Sequence, residues 1–229
     1  MGIHDGHRER VFNKFAKNGF AGLEEHEKLE IILFFSIPRP DTNEIAHRLI
    51  DKYHKIANVM DAPLKELEEF KHVTDRTFYL FKMIKEAYIT YEIEKTNDKS
   101  YLTCSEEFGT YFQLYLANAE VEKLAVMGLN SKGKMLAVDI IGEGDISSLT
   151  VSCRKILEFV INSKATEVVV AHNHPGDVAF PSNADIKATV NIKDSLESIG
   201  VRLRDHIIVT NDDYCSIAQC KEFNYIFKF

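Results

Sequence analysis

The pattern of apolar residues changes near residue 100, and this change most constrains how the 229-residue chain folds. Before it, apolar side chains recur at helical spacing and no convincing strand is found. After it, short apolar runs typical of strands alternate with amphipathic segments, which indicates an α/β domain. The polar run over residues 94–100 lies between the two parts and is interpreted as a linker. We therefore predict a helical domain over residues 1–95 and an α/β domain over residues 100–229.

The individual elements follow from the same periodicity. The helical part is predicted to hold four or five short helices, the last of which runs to about residue 91. Residues 168–171 are continuously apolar, as expected of a strand covered on both faces. Including that strand, four strands are predicted, over residues 124–129, 135–141, 168–171 and 201–210. Three helices are predicted in the α/β part, over residues 106–119, 154–162 and 183–199.

Composition excludes several classes of protein. A chain that is 45% apolar and 28% charged is not disordered or of low complexity. No stretch approaches the ~20 apolar residues of a membrane span, and the first residues lack the apolar segment of a secretory signal. The four cysteines form no CxxC pair. We therefore expect a cytoplasmic protein with reduced thiols and no membrane partner.

The charge balance disfavours a dedicated nucleic-acid binder. The chain has 28 Lys and Arg against 35 Asp and Glu, a net charge of −7. Residues 1–98 hold 15 basic and 18 acidic residues, a net of −3, and residues 99–229 hold 13 and 17, a net of −4. Neither part is the basic domain that nucleic-acid binding usually requires.

One short segment carries the pattern of a metal site. His172 and His174 directly follow the predicted strand 168–171, and in extended backbone both imidazoles point to the same side. Ser182 and Asp185 follow at a distance that lets the chain fold back. Composition alone gives roughly 0.35 HxH pairs and about 0.001 copies of the whole HxH-x7-S-x-x-D pattern. Two imidazoles and a carboxylate supply three ligands for one Zn²⁺ ion and leave a fourth position for water.

An alternative interpretation of the last two residues is purely structural. Ser182 followed three positions later by Asp185 is also the pattern of a helix cap, with the Ser side chain on a free N–H group. A helix N-terminus can serve both purposes at once.

The HxH-x7-S-x-x-D pattern resembles the metal-binding motif of the JAMM (MPN+) metalloproteases. Several segments of the sequence resemble the RadC-like branch of that superfamily. These segments are residues 8–10, 29–39, 45–49, 171–185 and 205–209. The resemblance implies an MPN-type, cytidine-deaminase-like α/β/α core. It also implies a small all-helical domain before that core, related to helix-hairpin-helix modules.

The resemblance also implies roles for single residues. His172, His174 and Asp185 match the metal ligands, Glu122 matches the glutamate that acts on the metal-bound water, and Ser182 matches the residue that steadies the oxyanion. Glu120 is a competing base two residues away from Glu122. Three further positions are noted without an assigned catalytic role. Asp177 is an extra carboxylate near the metal that either tunes metal affinity or is simply solvated, and Asp205 is interpreted as a buried acid needing a partner. His206 is interpreted either as a structural histidine, which is favoured, or as a residue behind the metal ligands.

The chain departs from the RadC-like pattern in two places that bear on function. It reads His174-Pro175-Gly176-Asp177 where the branch usually has a Ser after the Pro. The helical part has Lys71-His72-Val73-Thr74 where helix-hairpin-helix modules use Gly-x-Gly to approach a DNA phosphate. The second departure weighs against DNA binding by this domain.

Two functions remain open at this point. The first is a zinc-dependent hydrolase, a metalloprotease or isopeptidase acting on a peptide or isopeptide substrate through a metal-activated water. The alternative is a DNA-repair-associated accessory protein whose MPN domain binds metal but is not proteolytic. The sequence does not identify the substrate or the oligomeric state.

Overall fold

A computed structural model of the chain describes residues 6–99, 101–117, 119, 121–144, 149–176 and 178–228. The chain forms two compact units, residues 1–88 and residues 89–229. Among the described residues, no helix combines the length and the apolar character that crossing a membrane requires.

The first unit is helical, as the periodicity predicts. Its helices are α1 (His7–Asn18), α2 (Glu25–Ser36), α3 (Asn43–Tyr53), α4 (Ile56–Asp61), α5 (Leu64–Leu67) and the first part of α6 (Asp75–Lys99). A single 3₁₀ turn, Gly19–Gly22, follows α1. In the described residues this makes six α-helices rather than four or five. The additional helix is α4, and it is separate from α5 because Pro63 lies between them and cannot continue a helix.

A buried carboxylate ties three helices of this unit together. Glu30 on α2 is fully buried, and its two oxygens lie 3.0 and 3.1 Å from Nε2 of His7 on α1. The same carboxylate accepts hydrogen bonds from Thr42 Oγ1 at 3.3 Å and from Asn43 Nδ2 at 3.2 Å, at the start of α3. A buried charge is tolerated only when it is paired in this way.

We expect Glu30→Ala to destabilise the chain by about 1–3 kcal/mol, because it leaves three polar side chains without their shared acceptor. Denaturant unfolding followed by circular dichroism measures the change. Glu25→Ala is the matched control, since Glu25 lies on the same helix but is exposed and forms a surface ion pair with Lys28. It should shift stability by less than about 0.5 kcal/mol. Equal unfolding midpoints for the two variants would contradict the account.

The predicted linker over residues 94–100 is wrong for the residues that the structure describes there. Helix α6 continues through this run to Lys99. The run is polar but contains no Gly or Pro, and Glu and Lys are good helix formers, so polarity alone does not end the helix. The boundary between the two units falls inside α6, between Tyr88 and Ile89.

The segment where Gly-x-Gly is missing still forms a tight turn. His72 has a φ of 71°, in the left-handed region that glycine adopts most readily. The turn between α5 and α6 therefore has left-handed backbone, but it carries an imidazole where a glycine would leave the backbone open.

The second unit is built on a mixed five-stranded sheet. Its strands are β1 (Lys123–Leu129), β2 (Met135–Glu143), β3 (Glu167–Asn173), β4 (Arg202–Val209) and β5 (Tyr214–Ser216). Its further helices are α7 (Ser105–Tyr115), α8 (Leu149–Ser163) and α9 (Asn183–Glu197), followed by a 3₁₀ turn, Asn224–Phe227. All four predicted strands and all three predicted helices are present, with ends shifted by a few residues, whereas β5 was not predicted.

The order of the strands is β2-β1-β3-β4-β5. Among the strands that the structure describes, only β3 and β4 pair in parallel, and the other three pairings are antiparallel. The hairpin between β1 and β2 turns at Gly133, which has a φ of 79°. A Cβ atom there would also lie 2.9 Å from the carbonyl oxygen of Leu102, so the turn requires glycine.

Helices cover both faces of the sheet. On one face, Val126 and Val170 pack with residues of α8 and α9, such as Ile156 and Ile192. On the other face, alternate residues of the same strands pack against α7. Strands β1 and β3 are therefore buried on both faces, which explains the continuous apolar run that marks β3 in the sequence.

Candidate metal centre

The two histidines of the motif lie where β3 ends. In the antiparallel pairing of β1 with β3, His172 lies opposite Leu124, so Glu122, just before β1, reaches the level of His174. Because side chains alternate along a strand, Glu122, His172 and His174 share one face of the sheet. Strand pairing thus brings together residues that are 50 positions apart in the chain.

The side chain of Asn173 fixes the segment that carries Glu122. Its Oδ1 accepts a hydrogen bond from the backbone N–H of Lys123 at 2.7 Å, and its Nδ2 donates to the carbonyl of Val121 at 3.0 Å. Asn173 is buried between the two histidines, so one residue joins the end of β3 to the start of β1.

The imidazole nitrogens and the carboxylate oxygens of the motif lie close together. Nε2 of His172 lies 2.9 Å from Nε2 of His174 and 3.2 Å from Oδ1 of Asp185. Nε2 of His174 lies 3.6 Å from Oδ2 of Asp185. Ligand atoms of Glu122, His172 and His174 all lie within 4.8 Å of one another. The structure therefore brings the three predicted metal ligands together, and the carboxylate of Glu122 lies next to the two histidines.

The start of α9 holds Asp185 in place. Ser182 is the N-cap of this helix, and both its backbone N–H and its hydroxyl lie 2.7 Å from Oδ2 of Asp185, to which they donate. In return, the backbone N–H of Asp185 donates to the Ser182 hydroxyl at 3.2 Å. The cap interpretation is confirmed. Oδ1 of Asp185 takes no part in these three hydrogen bonds and faces His172.

Asp185 is a carboxylate at neutral pH. Burial alone would raise its pKa, but the contact with Nε2 of His172 and the hydrogen bonds from Ser182 outweigh burial. Together they hold the pKa of Asp185 well below its usual range. A negative oxygen therefore faces the two imidazole nitrogens.

The proton of His174 lies on the ring nitrogen that points away from this centre. Nδ1 of His174 is 3.2 Å from the carbonyl oxygen of Val178, and a carbonyl only accepts. In the neutral imidazole Nδ1 then carries the proton and Nε2 presents a lone pair. Two imidazole nitrogens and a carboxylate are a donor set that binds divalent transition metals.

Two buried residues next to the ligands were not assigned to the site from the sequence. Nδ1 of His172 lies 2.9 Å from Nε2 of His206, and Nδ1 of His206 lies 2.7 Å from Oγ1 of Thr189. His206 is thus in direct contact with a motif histidine, which favours its interpretation as a residue beside the metal ligands over a purely structural one. Burial, and after it the charge of His172, lowers the pKa of His206 to about 3, so this imidazole is neutral. For Thr189 the sequence contained a sign of this contact, because Thr189 lies one helical turn after the predicted ligand Asp185 and so on the same face of α9.

The remaining acidic residues have separate positions. Asp205 is a buried acid, as predicted, and its partners are the hydroxyls of Ser105 and Ser216, both at 2.6 Å. Burial raises the pKa of Asp205, and the hydrogen bonds it accepts oppose that shift. Asp205 therefore stabilises the contact of β4 with α7 and β5. Glu120 and Asp177 lie outside the described residues.

Comparisons with known proteins point to one family. A family model described as a RadC-like JAB domain matches residues 102–222. The UPF0758 protein FN0909 of Fusobacterium nucleatum is 33% identical over 223 residues, and the match covers 94% of this chain and 96% of that protein. The UPF0758 protein SPO0054 of Ruegeria pomeroyi is 28% identical over 89% of this chain and 91% of its own length. The UPF0758 protein NMB1038 of Neisseria meningitidis is 26% identical, with coverage of 92% and 94%.

Proposed function

Because this chain belongs to the RadC-like JAB domain family, we propose that its metal centre is catalytic and that the protein is a zinc-dependent hydrolase of JAMM type. The proposed substrates are peptides or isopeptides, cleaved at an amide bond. The single observation that carries the proposal is the convergence of Nε2 of His172, Nε2 of His174 and Oδ1 of Asp185, with the carboxylate of Glu122 beside them.

The spacing of these atoms supports zinc. A zinc ion with tetrahedral ligands at about 2.0–2.1 Å keeps neighbouring ligand atoms about 3.3 Å apart. Nε2 of His172 lies 2.9 Å from Nε2 of His174 and 3.2 Å from Oδ1 of Asp185, both slightly below that value. The oxygen of Asp185 nearer to Nε2 of His174 is Oδ2, at 3.6 Å. His172, His174 and Asp185 are the proposed ligands, and a fourth position is left for water. When bound, the ion polarises a carbonyl oxygen and lowers the pKa of a water molecule to about 7.

Glu122 is the proposed general base. Its carboxylate lies within 4.8 Å of the ligand nitrogens, a distance that one water molecule spans. It is half-buried just before β1 and is held there through the contacts of Asn173 with its two neighbours. We infer that Glu122 takes a proton from the attacking water and delivers it to the leaving amine.

Ser182 is the proposed donor to the oxyanion. Its side chain is exposed at the edge of the centre, so a substrate can reach it. Its hydroxyl proton now points to Oδ2 of Asp185. The proposed role requires the hydroxyl to rotate toward the substrate, while the backbone N–H of Ser182 keeps its bond to Asp185.

The loop between His174 and Ser182 suits an apolar segment of a polypeptide substrate. Val178 and Phe180 are 69% and 58% exposed on this loop. We place the catalytic domain at residues 100–229, with an MPN-type, cytidine-deaminase-like α/β/α core. The helical domain at residues 1–95 is proposed to be of helix-hairpin-helix type. The four free thiols support a cytoplasmic location.

A panel of internally quenched peptides and isopeptide-linked conjugates tests the proposed activity. Zinc-loaded protein should cleave at least one class of substrate, chelation should abolish cleavage, and one equivalent of zinc should restore it. Cleavage that survives complete removal of metal would contradict the proposal. So would cleavage that is equally fast in a preparation of Glu122→Gln, since it would then come from a contaminant.

A further inference from the structure

We propose that Thr189 and His206 are positioning residues of the metal centre, which keep a proton on Nδ1 of His172 and so direct its Nε2 to the metal. The inference deepens the proposed function and rests on it for the identity of the ligands. It concerns two buried side chains that lie outside the HxH-x7-S-x-x-D motif, one on α9 and one on β4.

The hydroxyl of Thr189 has a single proton. Oγ1 of Thr189 lies 2.6 Å from the backbone carbonyl oxygen of Asp185, one helical turn earlier. A carbonyl oxygen has no proton to give, so the Thr189 proton lies between these two oxygens. Toward any other neighbour the hydroxyl can therefore only accept.

That neighbour is His206. Its Nδ1 lies 2.7 Å from Oγ1 of Thr189, so Nδ1 carries the proton and donates it. A neutral imidazole has one N–H group, and Nε2 of His206 is then an acceptor. The atom that faces Nε2, at 2.9 Å, is Nδ1 of His172. Nδ1 of His172 must therefore donate its proton to Nε2 of His206. The other ring nitrogen of His172, Nε2, then carries no proton and faces Asp185 and His174.

The arrangement is set by the fold because water has no access to it. Thr189 is fully buried, and His172 and His206 are each 2% exposed. Each polar atom in the series has its partner within the protein, and a buried donor without an acceptor is costly. Through His206, the hydroxyl of Thr189 thus connects the backbone of one proposed ligand, Asp185, to the ring of another, His172.

The test compares three threonine variants of the full chain. Thr189→Val keeps the shape of the side chain but removes the acceptor for His206, whereas Thr189→Ser keeps the hydroxyl. Thr77→Val is the matched control, because Thr77 is equally buried and hydrogen-bonded to Ser36 in the helical unit. Zinc affinity is measured by competition with a chelator. We expect Thr189→Val to weaken binding about 10–100-fold and the other two variants to bind like the unmodified chain.

A second measurement does not depend on metal. In the metal-free protein, ¹⁵N-correlated spectra of the imidazole groups report which ring nitrogen carries a proton. We expect Nδ1–H on both His172 and His206 in the unmodified chain and in Thr189→Ser. In Thr189→Val the His206 proton should move to Nε2, and Nδ1 of His172 should lose its own.

The two measurements separate this inference from the proposed function. If the unmodified chain binds no zinc, the proposed function fails, and the spectra alone decide on the proton arrangement. Nε2–H on His206 in the unmodified chain overturns the inference. Zinc affinity in Thr189→Val equal to that of the unmodified chain overturns it as well.

Discussion

His172→Ala is expected to abolish stoichiometric zinc binding and, with it, all hydrolysis. Binding energies of about 10–16 kcal/mol shared by four ligands correspond to about 2.5–4 kcal/mol for each ligand. Removal of one ligand should therefore weaken zinc binding by roughly two to three orders of magnitude. Metal content after dialysis against a weak chelator, together with a competition titration, measures the effect.

Two further variants make this result specific to the centre. Asp185→Asn keeps an oxygen for the cap with Ser182 but removes the negative charge, so it should lose metal while α9 stays intact. His47→Ala removes an exposed imidazole from α3 in the helical unit and should bind zinc like the unmodified chain. Retention of one equivalent of zinc by His172→Ala would show that the metal, if any, binds elsewhere.

Glu122→Gln is expected to lower turnover about 10²–10⁴-fold and to leave zinc bound, because it removes the proton acceptor but none of the proposed ligands. The variant has nearly the same shape, so the contacts of Asn173 with the neighbouring backbone should persist. Steady-state rates on the best substrate of the panel, with metal content measured on the same samples, give both parts of the result.

Glu143→Gln is the control for that variant. Glu143 lies at the end of β2 directly opposite Lys123, one residue beyond Glu122, and its side chain is 61% exposed in an ion pair with that lysine. The same chemical change there should leave turnover within about twofold of the unmodified chain, as surface ion pairs contribute little. Loss of zinc in Glu122→Gln would instead make Glu122 a ligand, which the cluster of Glu122, His172 and His174 would also allow.

The parts of the fold that follow from sequence are those set by local periodicity. The continuous apolar run of β3 and the alternation in β4 are properties of single segments, and both strands were predicted within a few residues. The two histidines could be placed at the end of β3 for the same reason. The Ser182 cap was predicted because its hydrogen bonds join residues only three positions apart.

The parts that could not be predicted depend on which segments become neighbours. Thr189 and His206 are 17 positions apart, and His206 is 34 positions from His172. Their contact depends on the parallel pairing of β3 with β4 and on the packing of α9 over them. Periodicity reports which face of an element is apolar but not which element covers that face. The hydrogen bonds from Asn173 to the backbone before β1 were missed for the same reason.

A crystal structure of the zinc-loaded protein, with anomalous data collected on both sides of the zinc absorption edge, tests the central claim most directly. We expect one strong anomalous peak above the edge, from an ion bonded to Nε2 of His172, Nε2 of His174 and Oδ1 of Asp185, and we expect it to disappear below the edge. A zinc-saturated crystal without a peak among these three atoms would contradict it.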